Sequence, residues 1–150
     1  MNKLPRGIVN KNPGNIRKSK DEWVGEIDGN DESFKTFQEM GYGIRALLVI
    51  FLRYQQKYHL KTIRGLINRY APPNENETNT YVTNVAAILG IDPDKEIDLL
   101  TQPWILEKLA RAVIIQENGK DATKTISDED IQTGVKMALN KFGIRGSDDS

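Results

Sequence analysis

The sequence predicts a mainly α protein with one small β excursion near its start, and three observations support that fold class. Apolar residues recur at helical spacing between Tyr42 and Phe142. The first 35 residues are instead rich in Asn, Gly, Lys and Asp and lack that period. Prolines, glycines and capping residues punctuate the helical stretches where helices should start and stop.

Bulk properties then bound the function. A chain of 150 residues is long enough for one domain with a real core and too short for two ordinary ones. Lysine plus arginine number 21 and aspartate plus glutamate 21, which does not suit a strongly cationic nucleic-acid binder. The basic run Lys11–Lys20 is short, and acidic residues follow it at once, so a nucleic-acid role ranks last. The absence of cysteine removes disulfides and thiolate metal sites, and a lone His59 removes a multi-histidine site. No metal and no cofactor is expected. Residues 1–10 contain no apolar run of signal-peptide length. No segment approaches the roughly 20 apolar residues of a membrane span. The expected setting is the bacterial cytoplasm or a virion, without membrane insertion.

Residues 1–41 read as a loop region with a small hairpin, 42–143 as a helical core and 144–150 as a flexible tail. Asn12-Pro13-Gly14-Asn15 is a turn signal, because Pro fixes φ and Gly frees it. The stretches Trp23–Ile27 and Phe34–Phe37 are expected to pair across Asp28-Gly29-Asn30-Asp31. Tyr42–Tyr58 places Ile44, Leu47, Leu48, Phe51, Leu52 and Tyr54 at helical spacing, and His59 at its end suits the helix dipole. Thr62 starts a second helix, through Ile63, Leu66, Ile67 and Tyr70, that Pro72-Pro73 stops. Asn79 or Thr80 caps a third, through Val82, Val85, Ala86 and Leu89 to Gly90. Pro103 opens the fourth in a first-turn position, with Trp104 beside it read as core. Ser127 and Asp130 cap the last, Ile131–Phe142.

The fourth helix ends on a carboxylate. In Ala110-Arg-Ala-Val-Ile-Ile-Gln-Glu117-Asn-Gly119, a helix C-terminus disfavours negative charge and the apolar residues before Glu117 desolvate it. Both effects raise a carboxyl pKa, as a general acid requires. The competing reading is a solvated helix-end glutamate, the commoner fate of such residues.

Three phrases taken together resemble the lysozyme-like superfamily of peptidoglycan-cleaving enzymes. Ala112-Val-Ile-Ile-Gln-Glu117-Asn-Gly looks like the catalytic helix of lytic transglycosylases and goose-type lysozymes. Glu77-Thr-Asn-Thr-Tyr81-Val-Thr-Asn-Val85 is similar to a transglycosylase helix start beside the cleft. Gly7-Ile-Val-Asn-Lys-Asn12-Pro-Gly-Asn15-Ile-Arg17, with Trp23-x-Gly25, Phe34-x-x-Phe37 and Gly43-Ile-Arg-Ala46, resembles phage and prophage virion proteins and echoes autolytic glucosaminidases. In those muralytic families the catalytic helix comes first, whereas here it comes last. Either the Glu117 match is accidental or the chain is a circular permutant of the lysozyme-like core. Permutation is the favoured reading, because termini usually lie at the surface and often close together.

It also implies cleavage of the β-1,4 bond between N-acetylmuramic acid and N-acetylglucosamine. Glu117 is the acid and Tyr81 the group that orients it or the substrate. A second carboxylate, if one is used, comes from Glu22, Glu26, Asp28 or Asp31, and the sequence does not choose among them. In transglycosylases the substrate's own acetamido or 6-hydroxyl group does that work, so the outcome is either hydrolysis or anhydro-sugar formation. Asn12, Asn15 and Asn118 are candidate glycan contacts, since amides both donate and accept. Arg17 suits a peptide-stem carboxylate, and Trp23 a sugar face. Glycan strands are the expected partner, with other virion proteins as a second. The rival reading is a non-catalytic virion or glycan-binding module on the same scaffold.

Overall fold

The computed structural model describes residues 4–71 and 74–143, and of Glu75 and Asn76 the backbone alone. The Pro72-Pro73 stop and the tail 144–150 lie outside the described residues. In chain order it contains α1 (Arg6–Val9), β1 (Glu26–Ile27), β2 (Thr36–Phe37), α2 (Met40–Tyr58), α3 (Ile63–Tyr70), α4 (Glu75–Leu89), α5 (Pro103–Asn118), a 3-10 turn (Lys120–Lys124) and α6 (Asp128–Lys141). The protein is mainly α with one small antiparallel hairpin, as its sequence predicts.

The helix α2 forms the centre. Ile44, Ala46, Leu47, Leu48, Val49 and Phe51 are all fully buried on it, so its apolar run is wrapped on nearly every side. The amphipathic α6 lies along one flank of α2. Gly134 makes the close approach possible, because a Cβ there would fall 2.5 Å from Cγ2 of Ile44. Next to α2, α4 packs on α5, joining Tyr81, Val82, Val85 and Leu89 to the core that holds Leu106, Leu109, Ala110 and Val113. Burying such side chains stabilises a fold by roughly 1.5–3 kcal/mol each.

Caps fix where the helices begin. Thr62 accepts from the Gly65 amide at 3.0 Å, and Ser127 with Asp130 forms a reciprocal capping box. The third helix starts earlier than expected. Asn74, not Asn79 or Thr80, is its cap and accepts from the Glu77 amide at 3.1 Å. Its end at Gly90, with φ of 69°, is as expected. Trp104 is corrected too. It is 51% exposed, because Ile105 and Leu106 take the inward face of the first turn of α5.

The hairpin is shorter than its sequence signal. Only Glu26↔Phe37 and Ile27↔Thr36 pair, and an isolated Arg17↔Phe34 bridge extends the association. Phe37, Ile16 and Ala46 form a small second core that seats this loop region on α2.

Candidate active site

The last turn of α5 carries no cation, so nothing on that helix offsets the partial negative charge of its end. Glu117 stands there, partly buried. Its Oε1 accepts from Asn15 Nδ2 at 2.9 Å, and its Oε2 accepts from the Tyr81 hydroxyl at 3.0 Å. These partners lie 102 and 36 residues away along the chain. Burial pushes the Glu117 carboxyl above its ordinary value, against the opposing pull of Asn15, Tyr81 and the more distant Arg17 charge. Tyr81 is itself raised, first by burial and then by the facing carboxylate, and so stays a neutral donor.

The turn that delivers Asn15 is built by its neighbours. Asn12 is fully buried. Its Nδ2 donates to the carbonyls of Ile16 and Lys35, at 3.0 and 2.9 Å, and its Oδ1 accepts from the Ile16 amide. That leaves Asn12 nothing to offer a glycan, so its expected contact is replaced by a structural one. Asn118 donates to the carbonyls of Pro13, at 2.7 Å, and Ile114. It clamps the turn from behind and lines a different hollow, beside Pro5 and Ile8. The Tyr70 hydroxyl donates to the Gly14 carbonyl and ties the same turn to α3. Asn15 takes a left-handed backbone, φ 53°, which asparagine tolerates better than most residues and which aims its amide at Glu117. Gly7 of α1 abuts this corner. A Cβ there would sit 2.2 Å from Asn118 Oδ1 and 2.9 Å from Asn15 Oδ1, so a larger residue would force both asparagine side chains to shift.

An open groove of about 450 Å³ lies in front, lined by Asn15, Arg17, Phe34, Tyr54, Tyr70 and Glu117 among others. Glu117 is the only carboxylate among its described lining residues. Asn15 and Arg17 share this groove with Glu117, Tyr81 reaches it through the acid, and Trp23 lines an adjoining cavity. The Trp23 ring carries the Arg53 guanidinium 5.2 Å from its centroid. Of the loop carboxylates, Asp31 is clasped by Arg6 and Asn10, and Glu26 by Lys35 at 2.9 Å. Both are structural. Glu22 and Asp28 are exposed and line neither wall of the Glu117 groove.

The sequence did not mark Tyr70, Tyr54 and Phe34 as groove residues. Tyr70 read as part of an amphipathic face, and its position at a helix end beside a proline pair was the available signal.

No protein-family model matches this chain. Over 125 residues it is 36% identical to protein P5 of Pseudoalteromonas phage PM2, an alignment that covers 81% of this chain and 76% of that protein.

Proposed function

The chain belongs to the same family as protein P5 of Pseudoalteromonas phage PM2, and on that premise we propose that it is a phage muralytic glycosidase. It cuts the N-acetylmuramic–N-acetylglucosamine β-1,4 bond of peptidoglycan with Glu117 as the single general acid. One observation carries this reading. A desolvated carboxyl at a helix end, held by two neutral donors, is the only acid on the described wall of an open groove.

A general acid must hold its proton until the leaving oxygen needs it. Desolvation raises Glu117 towards that state; among the described residues no cation lies within 4 Å of it, and Arg17 opposes only through its more distant charge. Each carboxyl oxygen has a second lone-pair position beyond the one used by Asn15 or Tyr81, so a proton there can face the groove. As the glycosidic bond breaks, the proton passes to the leaving oxygen. The carboxylate left behind keeps both hydrogen bonds, which strengthen as it becomes charged. Its charge then faces the oxocarbenium-like carbon. Asn15 and Tyr81 are positioning residues in this account.

With no second carboxylate among the described lining residues of the groove, the substrate's own groups do the work. Its acetamido oxygen bonds C1 as the glycosidic bond breaks, and its 6-hydroxyl then displaces that oxygen, giving its proton to the Glu117 carboxylate and leaving the anhydro sugar of a lytic transglycosylase. The meeting of the asparagine turn and Tyr81 at Glu117 supports a permuted lysozyme-like core, in which the same groups converge in a different chain order. Action is on the wall, from a virion or from the host cytoplasm.

The test is digestion of purified peptidoglycan with mass spectrometry of the released muropeptides. Wild type is expected to release anhydro-muropeptides, and Glu117→Gln to lose roughly 10²–10⁴-fold of the rate, the usual worth of a general acid. Equal release by both proteins removes Glu117 from the chemistry. Binding of strands without any release favours the glycan-binding module instead.

A further inference from the structure

Ile16, Ile50 and Tyr54 line both the Glu117 groove and a second cavity of about 580 Å³, so the two adjoin as neighbouring arms of one surface region. The second arm is cationic and aromatic. Arg53 lies 5.2 Å over the Trp23 ring, and Lys57 lies 5.4 Å from the Tyr58 ring. Arg69, arriving from α3, stacks 3.6 Å over Tyr58 and 5.3 Å over Tyr54. Elsewhere in the molecule Arg6, Arg64 and Arg111 each meet a carboxylate. Among the described residues, Arg53, Lys57 and Arg69 have no such partner within 4 Å. Asp21 is the one acidic side chain on this arm. Burial, and after it the charge of Arg53, holds Arg45 below its ordinary value, so a further guanidinium shares the same field.

Unpaired cations laid on aromatic faces keep their stems ordered and their N–H groups outward. Their mutual repulsion is relieved by an anion. A planar guanidinium takes a carboxylate through two parallel N–H bonds. The two arms therefore suit two chemistries on one ligand. Beside Glu117 stand the Asn15 amide and tyrosine hydroxyls, with Arg17 the one cation among the described lining residues, and a cluster of cations lies farther along. Resting on the peptidoglycan reading, we propose that the Trp23–Arg53–Lys57 arm binds the carboxylates of the peptide stem carried by the strand whose sugar bridge lies at Glu117. A nucleic acid fits less well, because it demands a long run of cations and the chain's net charge is +0.

The experiment measures binding of two soluble ligands to Glu117→Gln protein at low salt. One is a tetrapeptide-bearing disaccharide, and the other the same disaccharide after amidase removal of the stem. The stem-bearing ligand is expected to bind roughly three- to tenfold more tightly, the usual worth of a charge-assisted contact. Adding Arg53→Gln and Lys57→Gln brings that ratio to about one. Equal binding of the two ligands, or a preference that survives both substitutions, overturns the proposal. So does a short DNA duplex that displaces the stem-bearing ligand at a lower concentration than the stem-bearing ligand itself requires. Wild-type digestion of stem-bearing strands separates the two readings. Turnover without stem preference removes only the stem site, and stem preference without turnover removes only the catalytic role.

Discussion

Asp31 and Glu117 are both partly buried carboxylates that anchor contacts across the chain, and their surroundings push them in opposite directions. Asp31 takes two hydrogen bonds from the Arg6 guanidinium, one from Asn10 and two from the amides of Ser33 and Phe34. The Arg6 contact, reinforced by those amides, holds it far below the usual carboxylate range. Glu117 takes one hydrogen bond from an amide side chain and one from a phenol, and burial wins. The loop carboxylate is thus spent on fastening β-hairpin to α1, while the helix-end carboxyl keeps a reason to hold a proton. A molecule whose environments drive two acids apart assigns their roles by that divergence.

The sharpest way to break this comparison is turnover itself. Asp31→Asn is expected to keep catalysis per folded molecule, while Glu117→Gln loses it by the margin given above. Next comes Tyr81→Phe, which removes a donor that favours the charged form of Glu117. A roughly tenfold fall in kcat is expected, the worth of about one hydrogen bond. The alkaline limb of the pH–rate profile moves to higher pH, because the acid's pKa rises further. A limb that moves down, or stays put with kcat unchanged, removes Tyr81 from the site.

Thermal melts of Asp31→Asn and Glu117→Gln then sharpen the contrast, since the two signs are opposite. Asp31 has a depressed folded pKa, so its stabilisation is present above its unfolded value near 3.9 and fades as pH falls towards the folded one. Asp31→Asn should melt below wild type at pH 7, with the gap narrowing below about pH 4. Glu117 has a raised folded pKa. Wild type and Glu117→Gln should melt alike below its unfolded value near 4.3, and the variant should melt higher as pH rises through the folded one. The smallest effect belongs to Arg17→Gln. Its charge acts on Glu117 only at a distance, so the alkaline limb should shift upward by less than in Tyr81→Phe, and 0.5 M salt should erase the difference from wild type.

Sequence periodicity and punctuation located α2, α3, α5 and α6 within a few residues, because long apolar stripes and strong caps are local signals. α1, of four residues, and the five-residue 3-10 turn are too short to show a period. Asn74 outcompeted two later candidates for the cap of α4, a choice the spacing leaves open. Glu117 stood out because a helix end, an apolar run and a glycine coincide there. Its partners did not separate in the same way. Asn12 and Asn15 flank one turn symmetrically in sequence, and only the left-handed backbone at Asn15 turns one amide outward while the other is consumed by carbonyls. Arg53, Lys57 and Arg69 carry no local mark either, since which cations lack a carboxylate is decided by tertiary packing.

Carbon-detected NMR titration of the side-chain carboxyls reads both acids in one sample. Glu117 is expected to titrate above the ordinary glutamate value of about 4.3 and Asp31 below the ordinary aspartate value of about 3.9. A Glu117 midpoint at or under its ordinary value would contradict the claim that this fold makes it a proton-holding acid.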